Sequence, residues 1–264
     1  MALVEVESVS KNYPRLSGLR QQDHFVVSNV SLTIAPGETL GLVGESGSGK
    51  TTLAQMILGL VPPTSGSIRV AGITVGSKET MSLRRHMQPV FQDPSAALNP
   101  RMRIFDIVTE PLIIHHREAG IDTRKSALRA AARELLTSVG LDDSALHRYP
   151  HEFSGGQRQR INIARALALK PQLVILDEPV SALDVSVGAQ IINLLRRLQQ
   201  ELGLTYLFIS HSMPLVRYLA TRIAVMERGR LVETGEAEQL CAQPREAYTR
   251  QLIAATPELP VLPV

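Results

Sequence analysis

Hydrophobic and polar residues alternate at the start of the chain. In "LVEVESVSKNY" the apolar positions are Leu3, Val4, Val6 and Val9, and "HFVVSNVSLTIAPGE" alternates again up to a Pro36-Gly37 turn. Patterning of this kind, bounded by turn residues, predicts half-buried strands. "TLGLVG" is instead an apolar run entering a glycine-rich loop, "KTTLAQMILGL" has helical character ending near Gly59, and "SGSIRVAGITV" reads as a further hairpin. Antiparallel strands therefore stand beside one buried strand–loop–helix unit.

Helical patterns dominate residues 102 to 149, as in "KSALRAAARELLTSVG". Its Leu128, Ala131, Leu135 and Val139 share one face, and Gly140 stands where a left-handed residue would stop the helix. This segment reads as a helical insertion. "QLVILDE" (172–178) and "LTYLFIS" (204–210) are short apolar runs flanking the helix "VSVGAQIINLLRRLQQELG". That order favours parallel pairing through a right-handed crossover. "RIAVMERGRLVETG" predicts a hairpin around Arg228-Gly229, and "PELPVLPV" a loose, proline-rich tail.

Composition narrows the class. The 264 residues, 44% hydrophobic and 20% charged, can bury a sizeable core and are not those of a disordered chain. A net charge of +3 with scattered basic residues gives no case for nucleic acid. The single Cys241 excludes an intramolecular disulfide and leaves a cysteine metal site short of ligands. The start lacks the pattern of a secretory signal, and no window approaches the roughly 18 unbroken apolar residues of a membrane span. A link to a membrane is expected to come through a partner.

Two stretches carry strong chemistry. "GLVGESGSGKTT" satisfies G-x-x-x-x-G-K-[ST] at Gly44, Gly49, Lys50 and Thr51, after a strand and before a helix. Glycines let the backbone curl so that successive N–H groups face phosphate oxygens, and the helix start adds its positive end. Gly44, Glu45, Ser46, Gly47, Ser48, Gly49, Lys50, Thr51 and Thr52 form this candidate nucleotide cradle. Lys50 would reach the β- and γ-phosphates and the Thr51 hydroxyl would ligate Mg²⁺. "LVILDE" sets Asp177 at the end of an apolar strand with Glu178 after it. Such a strand is expected next to the loop's own strand, with Asp177 holding magnesium through water and Glu178 orienting or deprotonating the attacking water. Taken singly, Tyr13, Gln92 and His211 are ordinary residues, and Asp184 is a good helix N-cap.

In order, Tyr13, "GESGSGKT", "VFQDP", "FSGGQ", "VILDE", "SALD" and "ISH" resemble the ATP-binding subunit of an ABC transporter, from about Tyr13 to Gly235. The resemblance implies an α/β fold: a P-loop NTPase (RecA-like) core with an antiparallel β subdomain and an inserted α-helical subdomain. It implies a single nucleotide-binding domain over 1–264, with core 1–92 and 161–240, helical subdomain 93–160 and tail 241–264. It implies ATP and Mg²⁺ as ligands, Tyr13 stacking on adenine, and Gln92 reaching the magnesium and the nucleophilic water. Thr51, Gln92 and Asp177 would be the metal ligands, and Glu178, His211 and Gln92 the catalytic set. His211 would contact the γ-phosphate, with Ser212 where the family often has an acid. Asp184 would belong to a loop signalling across a dimer. Ser154, Gly155, Gly156 and Gln157 would bind the γ-phosphate held by a second, head-to-tail subunit.

"FQDPSAALNPRM", "EPVSALDVS", the stretch "PRLSGLRQQDHF" read as an inserted loop, and "QPREAYTRQLIAATP" resemble the peptide-importer branch, which also carries nickel or related chelates. That branch implies a second ATP-binding subunit, usually different but in some cases identical, two transmembrane permeases and an external solute-binding protein. The chain would sit peripherally on the cytoplasmic face of the inner membrane, with Gln92 to Ile107 forming the permease groove. An exporter or non-peptide importer ATPase, or a soluble ABC ATPase of DNA repair or translation, are the rival readings. One cassette and a helical segment of ordinary size argue against the last.

Overall fold

The computed structural model describes residues 2–17, 20–77 and 80–255, with the side chains of 14–24 and 80–81 outside that description. The tail "PELPVLPV" therefore lies outside the described residues. The chain forms two compact units, Met1–Arg84 with Thr205–Val264, and Arg85–Leu204.

The first unit opens with β1 (Val4–Ser17), β2 (Arg20–Ile34), β3 (Thr39–Val43), α1 (Lys50–Ile57), β4 (Ser65–Val70) and β5 (Ile73–Thr74), and α2 (Thr80–His86) runs over the sequence boundary. Four of these strands form an antiparallel sheet in the order β2-β1-β4-β5. The expected alternation is interrupted at Ser8, whose φ of 48° accompanies a bulge. That extra residue is why Val6 and Val9, three apart, are both buried. The expected loop 14–25 is not a loop in its backbone, because the β1–β2 pairing continues to Ser17 opposite Arg20. Val70 and Ile73 close the next hairpin across Ala71 and Gly72, both at positive φ, a two-residue turn matched to strand twist.

The second unit holds β6 (Met87–Val90), α3 (Pro94–Ala97), α4 (Ile104–Ile114), α5 (His116–Ala119), α6 (Lys125–Ser138), α7 (Gly155–Leu167), β7 (Leu173–Asp177) and α8 (Val185–Leu202). β6 and β7 pair in parallel from Met87–Leu173 to Val90–Leu176. On α6 the buried stripe is Leu128, Ala132 and Leu136, followed by Val139, with Ala131 and Leu135 half-buried at its margin. The stripe is turned by one residue from the expected face, because the 3.6-residue period lets i+4 steps dominate. Gly140 ends the helix as expected, at φ 75°.

Back in the first unit come β8 (Thr205–Ile209), α9 (Met213–Leu219), β9 (Arg222–Glu227), β10 (Arg230–Glu236), α10 (Ala237–Ala242) and α11 (Ala247–Ala254). β3 lies between β8 and β9, parallel to both. All five residues of β3 and of β8 are buried, which accounts for their unbroken apolar runs. This corrects one expectation: a strand has two hydrogen-bonding edges, β8 and β9 take both of β3's, and the strand ending in Asp177 is not its neighbour.

The units divide at 84/85 and 204/205. β6 finds its partner β7 inside the second unit, and α7 runs unbroken through residue 160. Among the described residues no helix is long and apolar enough to cross a membrane.

Candidate active site

The phosphate loop leaves the buried strand β3 and ends at α1. A Cβ on Gly44 (φ 149°) would lie 2.1 Å from the Met226 carbonyl oxygen, and one on Gly49 (φ 102°) 2.5 Å from that of Val26. Only glycine lets the loop pack this closely. Gly49 caps α1 in left-handed conformation, contributing no side chain to the helix start, and the first turn holds no acid. Those donors and the helix dipole suit an anion. Lys50, only 7% exposed, donates from Nζ to the carbonyl oxygens of Gly44 and Glu45, each at 2.8 Å, and to Ser48 Oγ at 3.3 Å. The Glu45 N–H, one of the expected cradle donors, is directed instead at the Tyr248 hydroxyl, 3.0 Å away. Glu45, Ser46, Gly47 and Thr51 are exposed and Thr52 is half-buried.

β8 delivers His211 to the same edge of this unit. Leu42 of β3 pairs with Ile209 of β8, so Gly44 and the exposed His211 each follow two residues beyond a shared register position. The Ser212 N–H donates to Ser210 Oγ at 3.1 Å. Tyr13 sits on β1 at 42% exposure, more open than a half-buried aromatic, with Lys11 Nζ 5.1 Å from the ring centroid.

In the second unit, Val90 pairs with Leu176, so Gln92 and the acids Asp177 and Glu178 leave one edge together. Gln92 is exposed; both acids are half-buried. Glu178 adopts φ 51°. That region costs a non-glycine residue about 1–2 kcal/mol and persists where neighbours impose it, often at functional sites. Here the neighbours are visible. Ser181 donates to the Glu178 carbonyl from its N–H and Oγ, at 3.2 and 3.1 Å. Gln159 of α7, fully buried, donates from Nε2 to the next carbonyl, Pro179 O, at 2.7 Å.

The "SGGQ" stretch starts α7. Ser154 is its N-cap: Oγ accepts from the Gln157 N–H at 3.3 Å, and the Ser154 N–H donates to Gln157 Oε1 at 3.0 Å, a reciprocal capping box. Ser154, Gly155 and Gln157 are exposed, but Gly156 is buried. A Cβ there would lie 2.3 Å from Val187 Cγ1 on α8. Val187 is β-branched and held to one rotamer in a helix, so it has no room to swing aside. Gly156→Ala is thus expected to lower stability, since overpacking costs about 1–3 kcal/mol against the ~1 kcal/mol that alanine gains in helix propensity. Chemical denaturation checks this, and a second change, Val187→Ala, should restore most of the loss.

Asp184 caps α8 by accepting from the Val187 N–H at 3.0 Å. That bond first, then the Ser186 hydroxyl, holds its carboxyl below the usual carboxylate range. With the folded value depressed, its contribution is present above the unfolded value and lost as pH falls through the folded one. Asp184→Asn keeps a capping oxygen but cannot titrate, so its unfolding midpoint should vary less than wild type's below about pH 4, measured by thermal scans.

Thr51 lies in the first unit, and Gln92 and Asp177 share an edge in the second. Among the described residues no three His, Cys, Asp or Glu gather as a protein-only metal cage would need. Hydroxyl, amide and carboxylate oxygens are the hard donors of a Mg²⁺ site completed by phosphates and water. By donor type, each of the three residues is one that ion accepts.

Gln159 and Tyr248 were assigned no role from sequence. Tyr248 lay inside the noted segment "QPREAYTRQ", but nothing in its spacing points to a loop more than 200 residues earlier. Gln159 followed "SGGQ" with no signal of its own.

A family model described as ABC transporter matches residues 27–181. The oligopeptide transport ATP-binding protein OppF of Streptococcus mutans is 47% identical over 259 residues, covering 97% of this chain and 82% of that protein. The corresponding protein OppD of Mycobacterium tuberculosis is 52% identical over 235 residues, 88% of this chain but 37% of its own length. Among solved structures, a dimeric ATP-binding cassette in a post-hydrolysis state with ADP and Pi has a TM-score of 0.77 and 31% identity. That likeness covers 89% of this chain and 98% of the other.

Proposed function

This chain belongs to the ABC transporter family, and from that membership and its two motif-bearing edges we infer that it is the ATP-hydrolysing subunit of a peptide importer. One observation carries the reading furthest: a glycine-capped helix start and an enclosed lysine at Gly44–Thr52, on the same strand edge as His211. ATP binds to this loop, with Lys50 on the β- and γ-phosphates and Tyr13 against the adenine. Glu178 orients and deprotonates the attacking water, Gln92 and His211 position it and the γ-phosphate, and no covalent nucleophile is required. Thr51, Gln92 and Asp177 would hold Mg²⁺, which would supply neutralisation of phosphate charge.

The Ser154 helix start serves the ATP of a second subunit, and Asp184 relays the state of one site to the other. A different ATP-binding subunit completes the pair. Two permeases and an external solute-binding protein complete the importer, with this chain peripheral on the cytoplasmic face of the membrane. Peptides are the cargo class, as the names of OppF and OppD state for those relatives. Closure of the paired subunits on ATP drives the permeases outward.

Purification of the tagged chain from gently solubilised membranes tests this assembly. The expected companions are two permeases and a second ATPase. Recovery alone, or with ribosomes or DNA-bound proteins, would overturn the importer reading.

A further inference from the structure

We propose that Tyr248 is a positioning residue for the phosphate loop, its hydroxyl holding the Gly44–Glu45 peptide in the orientation that seats Lys50. The inference rests on the ATP-binding reading of that loop and adds a contact from outside the matched family region, which ends at 181.

The two bonds involved share one peptide group. Its carbonyl, Gly44 O, accepts from Lys50 Nζ at 2.8 Å, and its N–H, on Glu45, donates to the Tyr248 oxygen at 3.0 Å. A planar trans peptide points its C=O and N–H in opposite directions. This one is therefore pinned at both ends, and rotating it to release Tyr248 would turn the carbonyl away from the ammonium. Gly44 is the residue where such rotation is easiest, because it lacks a side chain and sits at φ 149°. Without a tether, the peptide that orients Lys50 would be the loosest in the loop.

The tether itself is anchored. The Glu233 carboxylate on β10 accepts from the N–H groups of Arg245 and Glu246, at 2.9 and 3.1 Å, fixing the start of α11, whose first turn contains Tyr248. β10 pairs with β9, and β9 with β3, which leads into the loop. The path from loop to tyrosine and back through the strands closes on itself within one unit. Burial raises the Tyr248 pKa, outweighing the lowering by the Glu45 N–H, so the hydroxyl that accepts this bond is a neutral phenol. Tyr248 touches the loop's backbone and acts on bound nucleotide only through Lys50.

The test compares the full chain with Tyr248→Phe, reading amide exchange at Glu45 without nucleotide, then ATP affinity and the KM and kcat of hydrolysis. The Glu45 amide is expected to exchange about five-fold faster, the equilibrium worth of one neutral hydrogen bond. The Kd and KM for ATP should rise, by up to about five-fold, with kcat held and the unfolding midpoint lowered by no more than about 2–4 °C. Glu233→Ala, which loosens the start of α11, should move the same quantities in the same direction. Wild-type protein that binds ATP, with Tyr248→Phe matching it in both exchange and affinity, would overturn this inference alone. Wild-type protein with no affinity for ATP would overturn the nucleotide reading and the inference with it.

Discussion

Glu178→Gln is expected to keep its affinity for ATP while turnover falls about 10²- to 10⁴-fold, the range for removing a general base. Glutamine has nearly the same shape and cannot take a proton. The main chain at this position is held by Ser181 on the Glu178 carbonyl and by Gln159 on that of Pro179, so the left-handed backbone survives the exchange. What changes is the chemistry. Phosphate release measures the rate, and light scattering in ATP should find the paired, closed subunits accumulating because hydrolysis no longer reopens them. Rapid turnover in this variant would remove Glu178 from the catalytic role and move attention to Gln92 or His211.

The second large effect is expected at Ser154. Its hydroxyl already caps α7, so replacement by alanine or arginine would confuse loss of a phosphate ligand with loss of about 1 kcal/mol of helix stability. Ser154→Asp separates the two. Aspartate caps as well as serine, so unfolding should be unchanged, while its charge opposes the γ-phosphate of the facing subunit. Hydrolysis by the assembled pair should drop on the order of a hundred-fold, as when a transition-state donor is lost. ATP binding by the isolated chain should persist. Binding lost along with hydrolysis would mean that Ser154 does not act across a dimer.

Local order was largely legible in the sequence because short-range patterns report short-range physics. The hairpin at Arg228-Gly229, the α6 stop at Gly140 and the N-cap at Asp184 each depend on a few neighbouring residues, and each formed where expected. The α6 face came out one residue away, since Ala131 and Ala132 are chemically alike and the period alone does not choose between them. The edges of β3 were misjudged because strand order follows from long-range pairing that no run of apolar residues encodes. Gly156 was read as a phosphate-binding glycine from its motif. Its closeness to Val187 belongs to α8 and becomes visible only in three dimensions. The same holds for Gln159 and Tyr248, whose partners are backbone groups, and a backbone group leaves no trace in residue identity.

Two arginines of α7 bear on how this chain can be recombined with its relatives. Arg158 donates to Ser95 Oγ at 3.2 Å, and Arg165 donates to Ala97 O at 2.9 Å while pairing with Glu110 at 2.8 Å. The stretch 91–102 is thus strapped to α7 by contacts that span more than fifty residues of sequence. A chimera that imported this stretch alone would inherit one half of the straps at Ser95 and Ala97. Transplanting 91–110 together with 154–167 moves the pieces as a matched set. Natural exchange between relatives is under the same constraint, so this stretch and α7 are expected to be inherited together.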